Sequence, residues 1–230
     1  MLSDWVAPKD IDWFIATHLG RMPYAAPGVA RDAVALFDWP TLDAVLGSPL
    51  PVDALTVARG HLVDVPRPRS AAAALQLMST GVSVVVRGAE RHDDGLRALA
   101  ASFERHLPGE VHVQLYATPG RSHSYGWHYD FEHVFIAQTR GVKDYYFRAN
   151  SVARDTRLGD MMDFGAVRRE VSPTFSTRLV AGDWLYIPAT WWHLVLCAED
   201  ALSISVGVMP PEALASARRL PAGWSGAHNR

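Results

Sequence analysis

The sequence predicts a mainly β fold with helices gathered in its N-terminal part, a jelly roll or small barrel of the α+β class. Two observations carry this expectation. From residue 111 onward, short β-branched and aromatic runs follow one another with turn residues at irregular intervals. These runs do not alternate with helical patterns, which argues against a doubly wound parallel sheet. The size agrees: 230 residues, 49% of them apolar, can form one generous domain whose core needs no disulfide.

Taken in order, residues 10–18 (DIDWFIATH) place Ile11, Phe14, Ile15 and His18 at helical spacing, and GRMPYAAPG ends that helix with Gly and Pro. Short helical pieces follow at 30–37 and 41–46, the second with Leu42, Val45 and Leu46 as its buried stripe. Residues 55–58 and 62–65 read as strands around Arg59-Gly60, and Pro66-Arg67-Pro68 as a loop. Ser70 caps a helix that runs to Met78. Residues 82–86 are an apolar run short enough for a buried strand. Over 92–107, Leu96, Leu99, Phe103 and Leu107 share a helix face, with Asp93 and Asp94 where the macrodipole favours them. Residues 111–116 alternate, Val111, Val113 and Leu115 on one side and His112, Gln114 and Tyr116 on the other.

Further strands are expected at 125–130, 133–138, 142–148, 177–180, 183–187, 191–196 and 201–208. Residues 149–176 form a loop-rich insertion between them, and a short helix at 211–220 precedes a frayed tail. The domain organisation expected is a helical and mixed segment, 1–109, packing on a barrel, 110–209, followed by a C-terminal helix and tail, 210–230.

Composition excludes some classes. A net charge of −2 gives no footing for a general nucleic-acid binder. Cys197 is the only cysteine, so no intramolecular disulfide framework exists and a reducing compartment is expected. The start, MLSDWVAPKD, lacks a signal-peptide pattern, and no run approaches the roughly 18–20 apolar residues of a membrane span. A soluble, cytoplasmic protein with no membrane partner is expected. Arginine supplies almost all the positive charge; Lys9 and Lys143 are the only lysines.

Chemistry concentrates in GWHYDFEHVFIAQTRGVK, residues 126–143. On a strand, His128 and Asp130 point to one face and can converge on one atom. A third ligand, His193 in GDWLYIPATWWHLV, would complete the 2-His-1-carboxylate arrangement that leaves positions open on non-haem iron. Lys143 offers an ammonium to an acidic cosubstrate. His133 is out of phase with His128 and Asp130, so a structural role is expected for it. Trp191 and Trp192 read as wall and packing, and Cys197 as a buried small hydrophobe.

The set His128-Tyr129-Asp130, Phe135, Gln138, Gly141, Lys143, Gly182-Asp183, Tyr186-Ile187-Pro188, Trp191-Trp192-His193 and Ser203-Ile204-Ser205-Val206 resembles the Jumonji-C oxygenases. The layout is nearest to ribosomal oxygenases and to the asparaginyl hydroxylase of hypoxia-inducible factor. The resemblance covers roughly residues 82–208. It implies a double-stranded β-helix, Fe(II) on His128, Asp130 and His193, and 2-oxoglutarate paired with Lys143, with O2 as oxidant. Tyr116 and Tyr125 can each donate to the carboxylate beside Lys143, and Ser203 and Ser205 can reach the cosubstrate; barrel packing is the plain alternative for all four. Val134 and Gly207 stand where the asparaginyl hydroxylase carries polar residues, so its hold on the near end of 2-oxoglutarate does not carry over.

The implied activity is hydroxylation of an unactivated C–H bond, on a peptide or protein side chain. The alternatives are a free amino acid or small metabolite, with Arg148, Arg154, Arg157, Arg168 and Arg169 of the insertion lining an acid-binding pocket, or a non-oxygenase metal-binding cupin. A homodimer through the apolar helix faces is an open possibility.

Overall fold

The N-terminal half forms short helices, several of them started by a side-chain cap. A computed structural model describes residues 1–123, 125–153 and 163–217. Helices α1 (Leu2–Trp5) and α2 (Ile11–Thr17) lead to strand β1 (Tyr24–Ala26), then to α3 (Arg31–Leu36) and α4 (Trp39–Leu46). Strands β2 (Asp53–Ala58) and β3 (His61–Leu62), helix α5 (Ala71–Ser79), strand β4 (Ser83–Arg87) and helix α6 (Asp94–Glu104) complete this half. Asp10, Asp38, Ser70 and Asp93 each accept a first-turn backbone N–H, at 2.7, 2.9, 3.1 and 2.9 Å respectively, which satisfies donors the helix itself cannot.

The strands that follow are β5 (Glu110–Thr118), β6 (His133–Arg140), β7 (Lys143–Arg148), β8 (Phe175–Leu179), β9 (Trp184–Ile187), β10 (Trp192–Cys197) and β11 (Ala201–Met209), with helix α7 (Pro211–Ala217) last. An eight-stranded antiparallel sheet runs β1-β9-β6-β11-β5-β4-β2-β3, and a three-stranded sheet runs β10-β7-β8. On the large sheet, alternation separates two environments. Val113, Leu115, Phe135, Trp184, Ile204 and Val206 face the helices and join Trp5, Phe14, Leu96 and Phe103 in the main core. The opposite face turns toward the small sheet, where Val134, Ile136, Leu185 and Ile187 pack on Tyr145, Phe147 and Leu179 in a separate apolar cluster. This is the expected jelly roll with helices on one face.

Three local expectations need correcting. Residues 125–130 are not a ladder strand: among the described residues this segment bridges β10 at His128–His193 alone, and a second isolated bridge, Ser122–Cys197, precedes it. Five residues, 123–127, lie between the bridged positions on one side and three, 194–196, on the other, so regular pairing cannot run through. A fourth strand of the small sheet is thereby replaced by two clasps. Residues 62–65 pair only as His61–Leu62; Val63 N–H still reaches Thr56 O at 2.9 Å, and pairing ends ahead of Pro66, which has no N–H to give. β8 begins at Phe175, inside the stretch expected to be insertion. The elements α1 and β1 were not foreseen; β1 owes its existence to pairing with β9, Tyr24 opposite Tyr186. The expected helix 211–220 is present as Pro211–Ala217, and its last residues, with Arg154 and Arg157 of the insertion, lie outside the described residues. Among the described residues no helix is long and apolar enough to cross a membrane.

Candidate active site

The clasp at His128–His193 builds the centre of the site. Each residue donates its backbone N–H to the other's carbonyl, His128 N to His193 O at 3.1 Å and His193 N to His128 O at 2.7 Å. Their rings are therefore held side by side, with centroids 4.1 Å apart. Asp130, two residues on, is pinned by Thr190 N–H donating to its carbonyl at 2.6 Å. Its carboxylate stands 3.4 Å from His193 Nε2. One ligand atom from each of His128, Asp130 and His193 lies within 4.8 Å of the others, and this is the one such cluster found among the described residues.

The ring tautomers are fixed by the backbone. His128 Nδ1 faces Gly126 O at 2.8 Å and His193 Nδ1 faces Trp191 O at 3.1 Å. A carbonyl only accepts, so each Nδ1 carries the proton and each Nε2 keeps a free lone pair. Burial, with the neighbouring His128 adding to it, pulls the His193 pKa down to about 4 against the opposing pull of Asp130. His193 is thus ready as a ligand at neutral pH. Two imidazoles and one carboxylate on one side of a point suit a divalent transition metal and leave its other side open.

Lys143 opens β7 directly after the turn at Gly141, where φ is +70° and a Cβ would run into the Asp200 carbonyl. The lysine is 3% exposed and its Nζ donates to Ser203 Oγ at 2.8 Å, 5.6 Å above the Tyr116 ring. Burial lowers the Lys143 pKa and the nearby Cys197 raises it in part. Among the described residues no carboxylate forms an ion pair with this ammonium.

The remaining expected residues fall as follows. Tyr116 faces the barrel interior opposite Ser203; burial raises its pKa well above the usual phenol, and Tyr125 and Asp130 push the same way. Tyr125 sits at the metal end, its ring 5.3 Å from that of His128, and burial with the Asp130 charge lifts its pKa to about 12. Both phenols are donors at every physiological pH. Ser205 is buried between Gln114 and Ile136 in the register, one step beyond Ser203 on the same face. Trp192 and Tyr129 stack edge to face, centroids 4.7 Å apart, with Ala166 of the insertion in the same cluster. The insertion therefore covers the metal-ligand segment. Its three described arginines do not gather into an acid pocket: Arg148 donates to Glu170 O at 2.9 Å, Arg169 pairs with Asp163 at 3.3 Å, and Arg168 is exposed.

His133 is outside the triad. Its Nδ1 accepts from Ala189 N–H at 3.2 Å and lies 3.0 Å from the Tyr186 hydroxyl, so the ring is neutral, and burial lowers its pKa to about 4. Because the folded pKa is below the free value of 6.5, the unfolded chain binds the proton more tightly. The stability that His133 contributes is full above pH 6.5 and drains away as pH falls to about 4, by at most about 3 kcal/mol, less what solvent at the ring edge takes back. Urea midpoints measured from pH 7 to 4 should fall less steeply in His133→Phe than in the wild type. Equal slopes would show that this ring does not titrate with unfolding.

Sequence reasoning missed Glu132, Tyr145 and the role of His112. Glu132 continues the two-residue phase of His128 and Asp130, which was a usable signal. Tyr145, which hydrogen-bonds Ser203, carried none.

The comparison with known families settles the class. A family profile described as the JmjC domain matches residues 89–215, more than half of the chain. The chain belongs to the JmjC family. Among similar JmjC relatives is the bifunctional lysine-specific demethylase and histidyl-hydroxylase NO66 of Drosophila grimshawi, 27% identical over 132 residues, covering 56% of this chain and 18% of that protein. The NO66 of Dictyostelium discoideum is 26% identical over 129 residues, covering 56% of this chain and 25% of its own. This JmjC chain thus spans at most about a quarter of these curated relatives' length. Among solved structures, Escherichia coli ycfD superposes with a TM-score of 0.63 at 18% identity, over 99% of this chain and 62% of that one. The same ribosomal oxygenase in complex with cobalt and 2-oxoglutarate gives 0.57 at 16% identity, over 97% and 60%. At such identity the likeness is one of fold.

Proposed function

We propose that this JmjC protein is an Fe(II)- and 2-oxoglutarate-dependent oxygenase that hydroxylates an unactivated C–H bond on a peptide or protein side chain. The observation that carries the reading is Lys143, an ammonium buried in the same barrel as the His–Asp–His cluster, whose one hydrogen-bond partner among the described residues is the Ser203 hydroxyl. A buried charge without a counter-charge is costly, and a dicarboxylate that pairs with it while chelating the metal removes that cost.

His128, Asp130 and His193 would hold the iron, and Lys143, Tyr116, Tyr125, Ser203 and Ser205 the cosubstrate. When bound, iron with 2-oxoglutarate and O2 supplies the oxidation, giving succinate and CO2 as one oxygen atom enters the substrate's C–H bond. The chain's own contribution is placement. The two imidazoles present lone pairs through Nε2, Asp130 supplies the anionic ligand, and Lys143 with the neutral phenols fixes the remote carboxylate. The apolar cluster of Ile136, Tyr145, Phe147 and Leu185 lines the space between the sheets and keeps water from the reacting carbon.

A peptide substrate is supported by the surface beside the site. Phe164 lies 6.5 Å, ring to ring, from Tyr129 and is 47% exposed, and Val171 and Phe175 expose 88% and 50%. The relatives' names, a lysine-specific demethylase and histidyl-hydroxylase and a ribosomal oxygenase, point the same way. We further propose residues 1–109 as a cover for the barrel 110–209 and the insertion as the substrate-facing wall. The cytoplasm is the compartment proposed, and sedimentation will decide between a monomer and a homodimer.

Anaerobic titration of the purified apoprotein with Fe(II) and then 2-oxoglutarate tests the reading. The expected result is a weak visible charge-transfer band that is absent in His128→Ala. Iron binding without that band in the wild type would replace the oxygenase with a metal-binding barrel that does not chelate keto acids.

A further inference from the structure

On the inner face of β5, His112, Gln114 and Tyr116 form a continuous polar chain that ends on Glu132. His112 Nε2 lies 3.0 Å from Glu132 Oε2 and 3.1 Å from the Gln114 amide nitrogen, and the Tyr116 hydroxyl lies 2.9 Å from the Gln114 amide oxygen. The backbone makes room for this arrangement at Gly207, opposite His112 on β11. A Cβ there would stand 2.5 Å from His112 Nε2 and 2.6 Å from Glu132 Oε2. The imidazole–carboxylate pair thus takes the volume that any side chain at residue 207 would need.

The chain has one consistent direction. A carboxylate only accepts, so the His112 Nε2 proton points to Glu132. Burial lowers the His112 pKa, but the hydrogen bond and charge of Glu132, with Glu90 and Asp130, outweigh it and leave the pKa above its ordinary value. With its N–H donating to Glu132, Nε2 has no lone pair left for an amide N–H. A half-turn of the Gln114 amide, which exchanges two nearly isosteric ends, puts Oε1 on His112 and the NH2 on Tyr116. Tyr116 then accepts from Gln114, and its own O–H is released to donate into the space beneath Lys143.

We propose that Glu132, His112 and Gln114 are positioning residues that turn the Tyr116 hydroxyl proton toward the remote carboxylate of 2-oxoglutarate. The inference rests on the oxygenase reading and adds to it three residues outside the metal and lysine contacts. Glu132→Gln replaces an acceptor-only group with one that also donates, so the direction of the chain is no longer imposed and the Tyr116 proton is free to return to Gln114. Gly207→Ala, which displaces His112, reaches the same end by another route.

The test measures 2-oxoglutarate affinity by calorimetry on the Co(II)-loaded protein under nitrogen, with the Co(II) visible spectrum as a control on the metal site. Glu132→Gln, Gly207→Ala and Tyr116→Phe should each weaken binding by roughly tenfold, the loss of one hydrogen bond to a charged group. The double variant Glu132→Gln/Tyr116→Phe should be no weaker than Tyr116→Phe alone, and the Co(II) spectrum of Glu132→Gln should match the wild type. Unchanged affinity in Glu132→Gln, a loss fully additive with Tyr116→Phe, or an altered Co(II) spectrum overturns the inference while the oxygenase reading stands. Absence of 2-oxoglutarate binding by the Co(II)-loaded wild type overturns both.

Discussion

Lys143→Met should raise the melting temperature of the ligand-free protein and at the same time nearly abolish its response to 2-oxoglutarate. Both effects have one cause. The ammonium is buried against Ser203 and Tyr116 with no ion-pair partner among the described residues, so the fold bears its desolvation alone. Methionine fills a similar volume without the charge. Removing the charge should stabilise the empty protein by about 1–2 kcal/mol, several degrees in a chain of this size. The same change leaves a cosubstrate carboxylate buried without a counter-ion, a penalty of about 3–5 kcal/mol, or on the order of 10²–10³ in affinity. Thermal melts with and without 2-oxoglutarate and metal decide the matter. A variant that melts lower than the wild type, or that keeps the full cosubstrate-dependent shift, would show that Lys143 is a packing residue.

Asp130→Ala should cost metal affinity more than a hundredfold while leaving the far-ultraviolet dichroism unchanged. Losing a partner that merely orients a ligand costs roughly 10- to 100-fold, and loss of the ligand itself exceeds that. The fold survives because the clasp between residues 128 and 193 and the contact from Thr190 to residue 130 use backbone atoms only. Titration with Co(II) followed by absorption measures the loss, and His133→Phe, three residues away but engaged with Ala189 and Tyr186, should bind normally. Metal retention in Asp130→Ala would remove the carboxylate from the ligand set.

The fold was legible where sequence period and burial agree. Val113 and Leu115 against His112, Gln114 and Tyr116 is a strict alternation, and the structure places the two sets on opposite faces of one sheet. Ser70 announced its helix as a cap, and Asp93 marked the start of another. The failures share a cause: they depend on partners distant in the chain. Residues 125–130 have strand composition, yet their only possible partner, β10, is two residues too short between the clasps. β1 has a three-residue signal that means nothing until β9 lies beside it. At the site, His128, Asp130, His193 and Lys143 were readable because each has a residue type and spacing that chemistry demands. Glu132 shares the two-residue phase of His128 and Asp130, but what it does there shows only with a glycine seventy-five positions later that leaves it room.

The two clasps that stand in for a fourth strand set how this barrel breathes. The small sheet packs on the large one through a modest apolar cluster, separate from the helix-backed core. Two of the proposed metal ligands lie on the clasped loop and the third on β10, while the cosubstrate would bridge Lys143 of the small sheet to Ser203 and Tyr116 of the large one. On the proposed function, iron and 2-oxoglutarate would act as rivets between the two layers. In the empty protein, amides of β7, β8 and β10 should exchange with solvent at a lower opening free energy than those of β5, β6 and β11, and loading should close that gap by RT ln(1 + [L]/Kd). On that reading the barrel would be assembled twice, once by folding and once by its cofactors.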